Sequence, residues 1–249
     1  KMEFSRFLLV LILLLAATGT SQAANCSSRL THREDGCYAR IGGLLRLHSG
    51  NVPLNPNWLR VAAAVIMAVH HANNRSSTLV PAATTLPHSL QFEYSFQDTY
   101  SRPGKALESL EQLINCCDSA LLGIAGPGLS SVSAPVALVA NSRDIPVVSY
   151  WSASSVLSNV EVYPMFARTW WISEPFALAT AAVLKKYGWK TVAILYIGDA
   201  YGQDMLNSLG AVLDVAVIAF VEYVPGSPKS MSAAVSSIKQ SGATIVITV

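Results

Sequence analysis

The chain has 249 residues, 51% of them hydrophobic and 13% charged, with a formal net charge of +2. That length supports one large domain or two lobes, each with a real core. The near-neutral charge leaves no electrostatic footprint for nucleic acid.

The N-terminus reads as an export signal. Lys1–Arg6 is a short polar start, FLLVLILLLAA (7–17) is an apolar block, and TGTSQAA is a small, polar tail. This layout predicts a signal peptide over residues 1–24, cleaved after Ala23 or Ala24. The block is too short for a spanning helix of about twenty apolar residues. Removing Lys1, Arg6 and Glu3 from 17 basic and 15 acidic residues leaves 15 and 14, a net of +1. No later apolar run reaches membrane length, so an exported domain is expected. A chain starting on Lys1 and ending on the strand-like ATIVITV reads as a fragment at both ends.

Four cysteines (Cys26, Cys37, Cys116 and Cys117) allow three disulfide connectivities and lack the spacing of a zinc site. A bridge from Cys37 to Cys116 or Cys117 would tie the start of the domain to its first helical layer. Direct pairing of Cys116 with Cys117 is the strained and less favoured option. Asn25 and Asn74 head N-glycosylation triplets, which arise often by chance.

From residue 39 strands and helices alternate. ARIGGLLRL (39–47) reads as a strand and 57–74 as a helix. His70 and His71, adjacent on that helix, face different ways and cannot form one ligand pair. HSLQFEYSFQD (88–98) is a half-buried strand, 104–114 an amphipathic helix, and SALLGIAG (119–126) a continuous apolar strand. A helix over 130–142 and the strand IPVVSY (145–150) follow. After a crossing segment come a helix at 174–188, a strand at 190–198, a helix near 201–212, a strand at 215–224, a helix at 229–241 and a last strand. Apolar strands separated by such helices predict an α/β fold with parallel sheet and helices on both faces. One sheet of seven or eight strands and two successive lobes both fit this rhythm.

In such sheets ligands bind beyond the carboxyl ends of the strands. Two consecutive strands end in unusual sequence. The first runs into GPGLSSVS, where Gly126 and Gly128 permit a tight turn and Ser130 sits at or near a helix N-cap that favours an anion. The second runs into SYWSASS, placing hydroxyls at 152, 154 and 155 beside that helix start, with Tyr150 and Trp151 interleaved. Together they predict a ligand cleft.

GIAGPGLSSVSAPVALVANSRDIPVVSYWSASSVLSN followed by YPMFART resembles the extracellular ligand-binding domain of class C G-protein-coupled receptors. Metabotropic glutamate and GABA-B receptors are its nearest types, and the second stretch looks slightly closer to GABA-B. Over roughly residues 39–249 the resemblance implies a two-lobed fold like type I periplasmic binding proteins. It implies lobe one over 25–168 and a partial, truncated lobe two over 169–249. Such a domain binds a small amino-acid-like or carboxylate ligand between its lobes and signals by closure, with no chemistry, cofactor or metal. It would sit on the extracellular face of the plasma membrane, joined to a membrane region outside this sequence, and dimerise through lobe one. Carried over by position, Ser130 with Ser131 would bind the ligand carboxylate, and Tyr150, Trp151, Ser152, Ala153 and Ser154 would line the lobe-one wall. Tyr201 would close from lobe two. Departures are clear: Ala153 replaces a hydroxyl, Trp151 a small residue, Ser173 the aspartate that anchors an α-amino group in glutamate-type members, and Trp170 a GABA-B histidine. These departures imply a larger, flatter or more apolar ligand.

An exported solute-binding protein serving a transporter is a close alternative, separated by whether a transmembrane region follows residue 249. A dinucleotide-dependent oxidoreductase fails its motif: the third glycine falls at Ser131, and no Asp or Glu ends the next strand. No G-x-S-x-G elbow points to a hydrolase.

Overall fold

A computed structural model describes residues 30–34, 36–48, 56–77, 81–117 and 119–249. The expected signal peptide, Asn25 and Cys26 lie outside them. The chain divides into two compact units: residues up to Ser152 with Asn159–Trp170, and Ala153–Ser158 with Trp171–Val249.

In the first unit a short strand β1 (Thr31–Arg33) hairpins onto β2 (Gly36–Leu45). Helix α1 (Pro56–Asn73) leads to β3 (Leu90–Asp98), α2 (Pro103–Asn115) to β4 (Ala120–Ala125), and α3 (Ser130–Asn141) to β5 (Val147–Ser149). β6 (Phe166–Arg168) completes the sheet. The parallel strands lie in the order β3-β2-β4-β5-β6, so the winding direction reverses between β2 and β4. That is the switch point of a doubly wound sheet, where strand ends leave a crevice.

Strand alternation explains why both faces need helices. Ala39 and Ile41 of β2 join Val65, Ala68, Val69 and Ala72 of α1 in one core. Leu44, on the opposite face, joins Ala106, Leu110 and Leu113 of α2 and Val132, Val136 and Ala140 of α3 in another. Arg40 shares the Leu44 face and is almost fully buried. A charge there must be matched by acceptors. Its guanidinium donates to the Ser119 and Cys116 carbonyls at 3.2 and 2.9 Å and to Ser95 Oγ at 3.0 Å.

The disulfide differs from the expected Cys37 link. Cys116 is joined to its neighbour Cys117, and Cys37 is itself disulfide-bonded. The pleat supplies the reason. Cys37 packs with the α1-side core, whereas Cys116 meets Arg40 on the other face.

The second unit contains α4 (Ser173–Tyr187), β7 (Thr191–Ile197), α5 (Ala200–Val212), β8 (Ala216–Tyr223), α6 (Pro228–Ser241) and β9 (Val246–Thr248). Its parallel order is β8-β7-β9. Two helices start on matched caps: Asp199 accepts from the Tyr201 and Gly202 amides, both at 3.0 Å, and Ser227 from Ser230 at 3.3 Å. Ala177, Ile194, Met205 and Leu209 form this unit's core. Two sheets, not one of seven or eight strands, therefore resolve the alternatives left open by the sequence. No described helix is long and apolar enough to cross a membrane.

Candidate ligand site at the strand ends

The site is built where β2, β4 and β5 end. After β4 the chain turns through Gly126-Pro127-Gly128 into α3. Gly126 has φ +100, and a side chain there would run into the Leu44 carbonyl of β2. A Cβ at Gly128 would meet the Tyr150 ring at 2.6 Å. The two glycines thus let backbone and an aromatic ring close up beneath the site.

Ser130 is the first residue of α3, and Leu129 takes the cap position without a side-chain cap. Ser130 therefore stands one residue past the cap, at the helix start where the sequence places it. It is buried in the first helical turn, with Ser131 half-buried beside it.

The hydroxyls of the opening motifs interlock. Ser149 Oγ donates to the Pro127 carbonyl at 2.6 Å, and Ser133 Oγ donates to the same oxygen at 3.0 Å. Two hydroxyls therefore fill both lone pairs of one buried carbonyl. Ser152 Oγ sits 2.8 Å from both Ser149 Oγ and Ser133 Oγ and reaches the Gly128 carbonyl at 3.3 Å. The Ser152 amide donates to Ser149 Oγ at 3.0 Å. Ser152 is fully buried, so its hydroxyl welds the β4 and β5 loops together from below the surface. Its carbonyl accepts from Arg168 Nη1 at 3.1 Å.

Above this polar layer lies an aromatic wall. Trp58 of α1 packs at 5.0 Å from Trp151, which meets Trp170 edge-on at 5.9 Å. Arg46 lies over the Trp58 ring at 5.4 Å, and Tyr150 tilts against the same ring at 6.4 Å. Trp58 and Tyr150 are buried, while Trp151 and Trp170 keep 46% and 39% of their surface in solvent. Apolar ring faces left open beside a polar wall are what a ligand with an apolar body would cover.

Burial pushes the Tyr150 phenol up to about 12, partly opposed by the Arg46 backbone and charge. The unfolded chain releases this proton near pH 10 and the folded chain does not. Stability from this group is therefore full below pH 10 and falls by roughly 3 kcal/mol as pH rises through 12. Tyr150→Phe is expected to remove that share of the alkaline loss in urea titrations run from pH 9 to 12. An identical slope in the variant would contradict the burial argument.

At the β2 and β3 ends Asp98 accepts from the Leu47, His48 and Tyr100 amides at 3.1, 3.0 and 2.8 Å. It also pairs with His48 Nδ1 at 2.5 Å, and the His48 ring stacks on Tyr100. This clip fixes the rim beside Arg46.

Ser130, Ser131, Tyr150, Trp151, Ser152 and Trp170 thus belong to the first unit, and Ala153, Ser154 and Tyr201 to the second. There, Ala153 accepts from the Ser173 amide and hydroxyl at 3.0 and 3.2 Å. Buried Asp204 accepts from the Ser155 amide at 3.0 Å and from its hydroxyl. These bonds hold Ala153–Ser158 to the second unit. Tyr201 lies in the first turn of α5; its phenol is raised by burial and then by Asp199. It lines a cavity of about 460 Å³ with Phe176, Trp189, Met205 and residues of β9. Asn74, the described glycosylation candidate, is exposed just beyond α1.

Sequence reading missed Trp58, Arg46, Asp98 and Asp204. Trp58 opens an otherwise apolar helix and reads as core. Asp98 is a polar residue at the end of an alternating strand, and Asp204 stands in an ordinary helical turn. Arg46, a lone cation at the end of an apolar strand, was the available signal.

A doubly wound lobe with a recessed polar and aromatic surface at its switch point, followed by a second parallel lobe, defines a ligand-binding protein of the type I periplasmic-binding-protein-like class. The family model for the receptor family ligand binding region matches residues 60–249, and the chain belongs to that family. It is 29% identical over 152 residues to glutamate receptor 3.1 of Oryza sativa subsp. japonica, covering 61% of this chain and 15% of the relative. It is 30% identical over 162 residues to G-protein coupled receptor family C group 6 member A of Carassius auratus, covering 60% and 18%. It is 29% identical over 171 residues to gamma-aminobutyric acid type B receptor subunit 1 of Mus musculus, covering 69% and 16%. The chain therefore spans under a fifth of the length of these three relatives. Family and relatives are receptors, not enzymes, and class C receptors are among them.

Proposed function

We propose that this chain is the extracellular sensing region of a membrane receptor, binding a small amino-acid-like or carboxylate ligand without chemistry. The observation that carries the reading is the half-exposed Trp151–Trp170 pair standing over the buried serine network at the switch point. The ligand's carboxylate is assigned to the first turn of α3 at Ser130 and Ser131, where helix amides favour an anion. Its apolar body lies against the tryptophans. Lobe closure, favoured only by contacts made in both lobes, passes the signal to a G protein, with Tyr201 acting from lobe two. Export through residues 1–24, a glycan at Asn74, dimerisation through lobe one and a leaning toward GABA-B-type receptors belong to the same reading.

A thermal-shift screen of aromatic and aliphatic amino acids and small carboxylates tests it. A ligand at a hundred times its dissociation constant stabilises by about 2.7 kcal/mol. Trp151→Ala is expected to weaken binding about tenfold through lost aromatic contact, and Ser130→Ala to abolish the shift. A screen with no stabilising compound, or a shift unchanged in both variants, removes the assignment.

A further inference from the structure

We propose that the Cys116–Cys117 bridge is a site of reversible thiol modification, in which a small external thiol attaches to Cys117 while Cys116 departs as a thiolate held by Arg40. The site stands apart from the ligand surface, because Arg40 lies in the amino-terminal half of β2 and Ser119 just before β4, whereas the ligand surface is at the carboxyl ends. It does not depend on the receptor reading.

Three observations carry it. The two sulfurs differ in access: Cys117 is exposed, in a left-handed turn with φ +68, whereas Cys116 is half-buried at the end of α2. Arg40 Nη1 lies 3.2 Å from Cys116 Sγ. The cation cannot swing away, because its other donors are fixed on the Ser119 carbonyl, the Cys116 carbonyl and Ser95 Oγ. Glu93, opposite Arg40 across β2 and β3, offsets part of that charge.

The chemistry follows from the asymmetry. A thiolate attacks the sulfur it can reach, and a disulfide breaks faster when the leaving thiolate is stabilised. The external thiolate forms a bond to Cys117 Sγ, the Cys116–Cys117 bond breaks, and its electron pair goes to Cys116 Sγ beside the guanidinium. A second thiolate attacking the external sulfur of the mixed disulfide gives an oxidised external disulfide and a Cys117 thiolate, which takes a proton from water. When external thiol falls, Cys116 attacks the mixed disulfide at Cys117, expels the external thiolate and restores the bridge. Adjacency in sequence makes that closure intramolecular. Meanwhile the Arg40 contacts to Ser119, Ser95 and the Cys116 carbonyl do not involve the bond that breaks, so the fold persists.

The test uses the full chain, secreted oxidised and titrated with reduced glutathione. Samples are quenched with acid, alkylated with N-ethylmaleimide and mapped by peptide mass spectrometry. The expected product carries glutathione on Cys117 and maleimide on Cys116, in about tenfold excess over the reverse arrangement. It appears before Cys37 becomes alkylable and with an unchanged far-ultraviolet circular dichroism spectrum. Arg40→Gln is expected to slow the first exchange about tenfold, and Arg40→Lys much less. Adducts divided equally or found mainly on Cys116, or a Cys37 that opens first, would overturn the proposal. If Arg40→Gln does not fold, the adduct's position in the unaltered chain decides the matter alone.

Discussion

Gly126→Val is expected to leave the chain without a stable first lobe. Gly126 holds φ +100, a conformation that costs a side-chain-bearing residue about 1–3 kcal/mol. Steric overlap costs more. The new Cβ would lie inside the contact distance of the Leu44 carbonyl, which is backbone of the central strand and cannot rotate aside. Relief requires β2 and β4 to part, breaking the register from Ile41↔Gly123 to Gly43↔Ala125 and uncovering Leu44 and Ile124. Valine adds two further methyl groups in a packed site, where overpacking costs about 1–3 kcal/mol more. Against a total stability of about 5–15 kcal/mol, the sum consumes most of what holds the lobe together. The matched control is Gly104→Ala in the first turn of α2, where a Cβ meets nothing within 4 Å. That change is expected to be neutral or to stabilise by about 0.4–1 kcal/mol. Urea midpoints of the two variants decide between them. A Gly126→Val midpoint close to that of the unaltered chain would mean that β2 and β4 do not approach as described.

This pair of glycines shows how much of the molecule was legible in advance. Gly-Pro-Gly between an apolar strand and a serine-rich helix start announced a tight turn, and the turn is there. The rhythm of strands and helices likewise placed most element ends to within a few residues, although it left one sheet and two equally open. β1 and β6 escaped because Thr31–Arg33 and Phe166–Arg168, unlike the short β5 and β9, stand in no apolar or alternating run that marks a strand. The hydroxyl cluster is the instructive case. Serines 149 and 152 were read as polar groups at a strand end, and they are. Yet a hydroxyl that satisfies a buried carbonyl and one that greets a ligand demand the same residue type, so sequence alone could not divide them. Ser133 was passed over as helix interior although it completes the network. The vicinal disulfide was disfavoured on local strain, whereas the pleat, which puts Cys37 and Arg40 on opposite faces, decided the partner. Arg40 itself was a readable anomaly: a cation near the start of the apolar stretch ARIGGLL must find acceptors, and following that rule would have led to Cys116.

Ser149→Ala is expected to cost about 3 kcal/mol, more than either Ser133→Ala or Ser152→Ala. Ser149 Oγ is the hub of the buried layer, donating to the Pro127 carbonyl and accepting from the Ser152 amide. Its removal leaves that amide inside the protein, and an unmet buried donor costs about 1–3 kcal/mol. Loss of the bond to Pro127 adds about 1 kcal/mol, because Ser133 Oγ still serves that carbonyl. Ser133→Ala removes the complementary donor and leaves Ser149 in place, so it is expected to cost about 1–2 kcal/mol. The double variant strips Pro127 of both hydroxyls and should exceed the sum of the singles by about 0.5–3 kcal/mol, the signature of a shared acceptor. The effect also reaches the ligand surface. Trp151 follows Ser149 by two residues, its amide lies 3.4 Å from Ser149 Oγ, and the indole owes its half-exposed position to this turn. Chemical denaturation of the four chains in the cycle, with Trp151 fluorescence as a second readout, measures both consequences. Additive costs, or a Ser149→Ala variant within about 0.5 kcal/mol of the parent, would show that the hydroxyls fill space without carrying the turn.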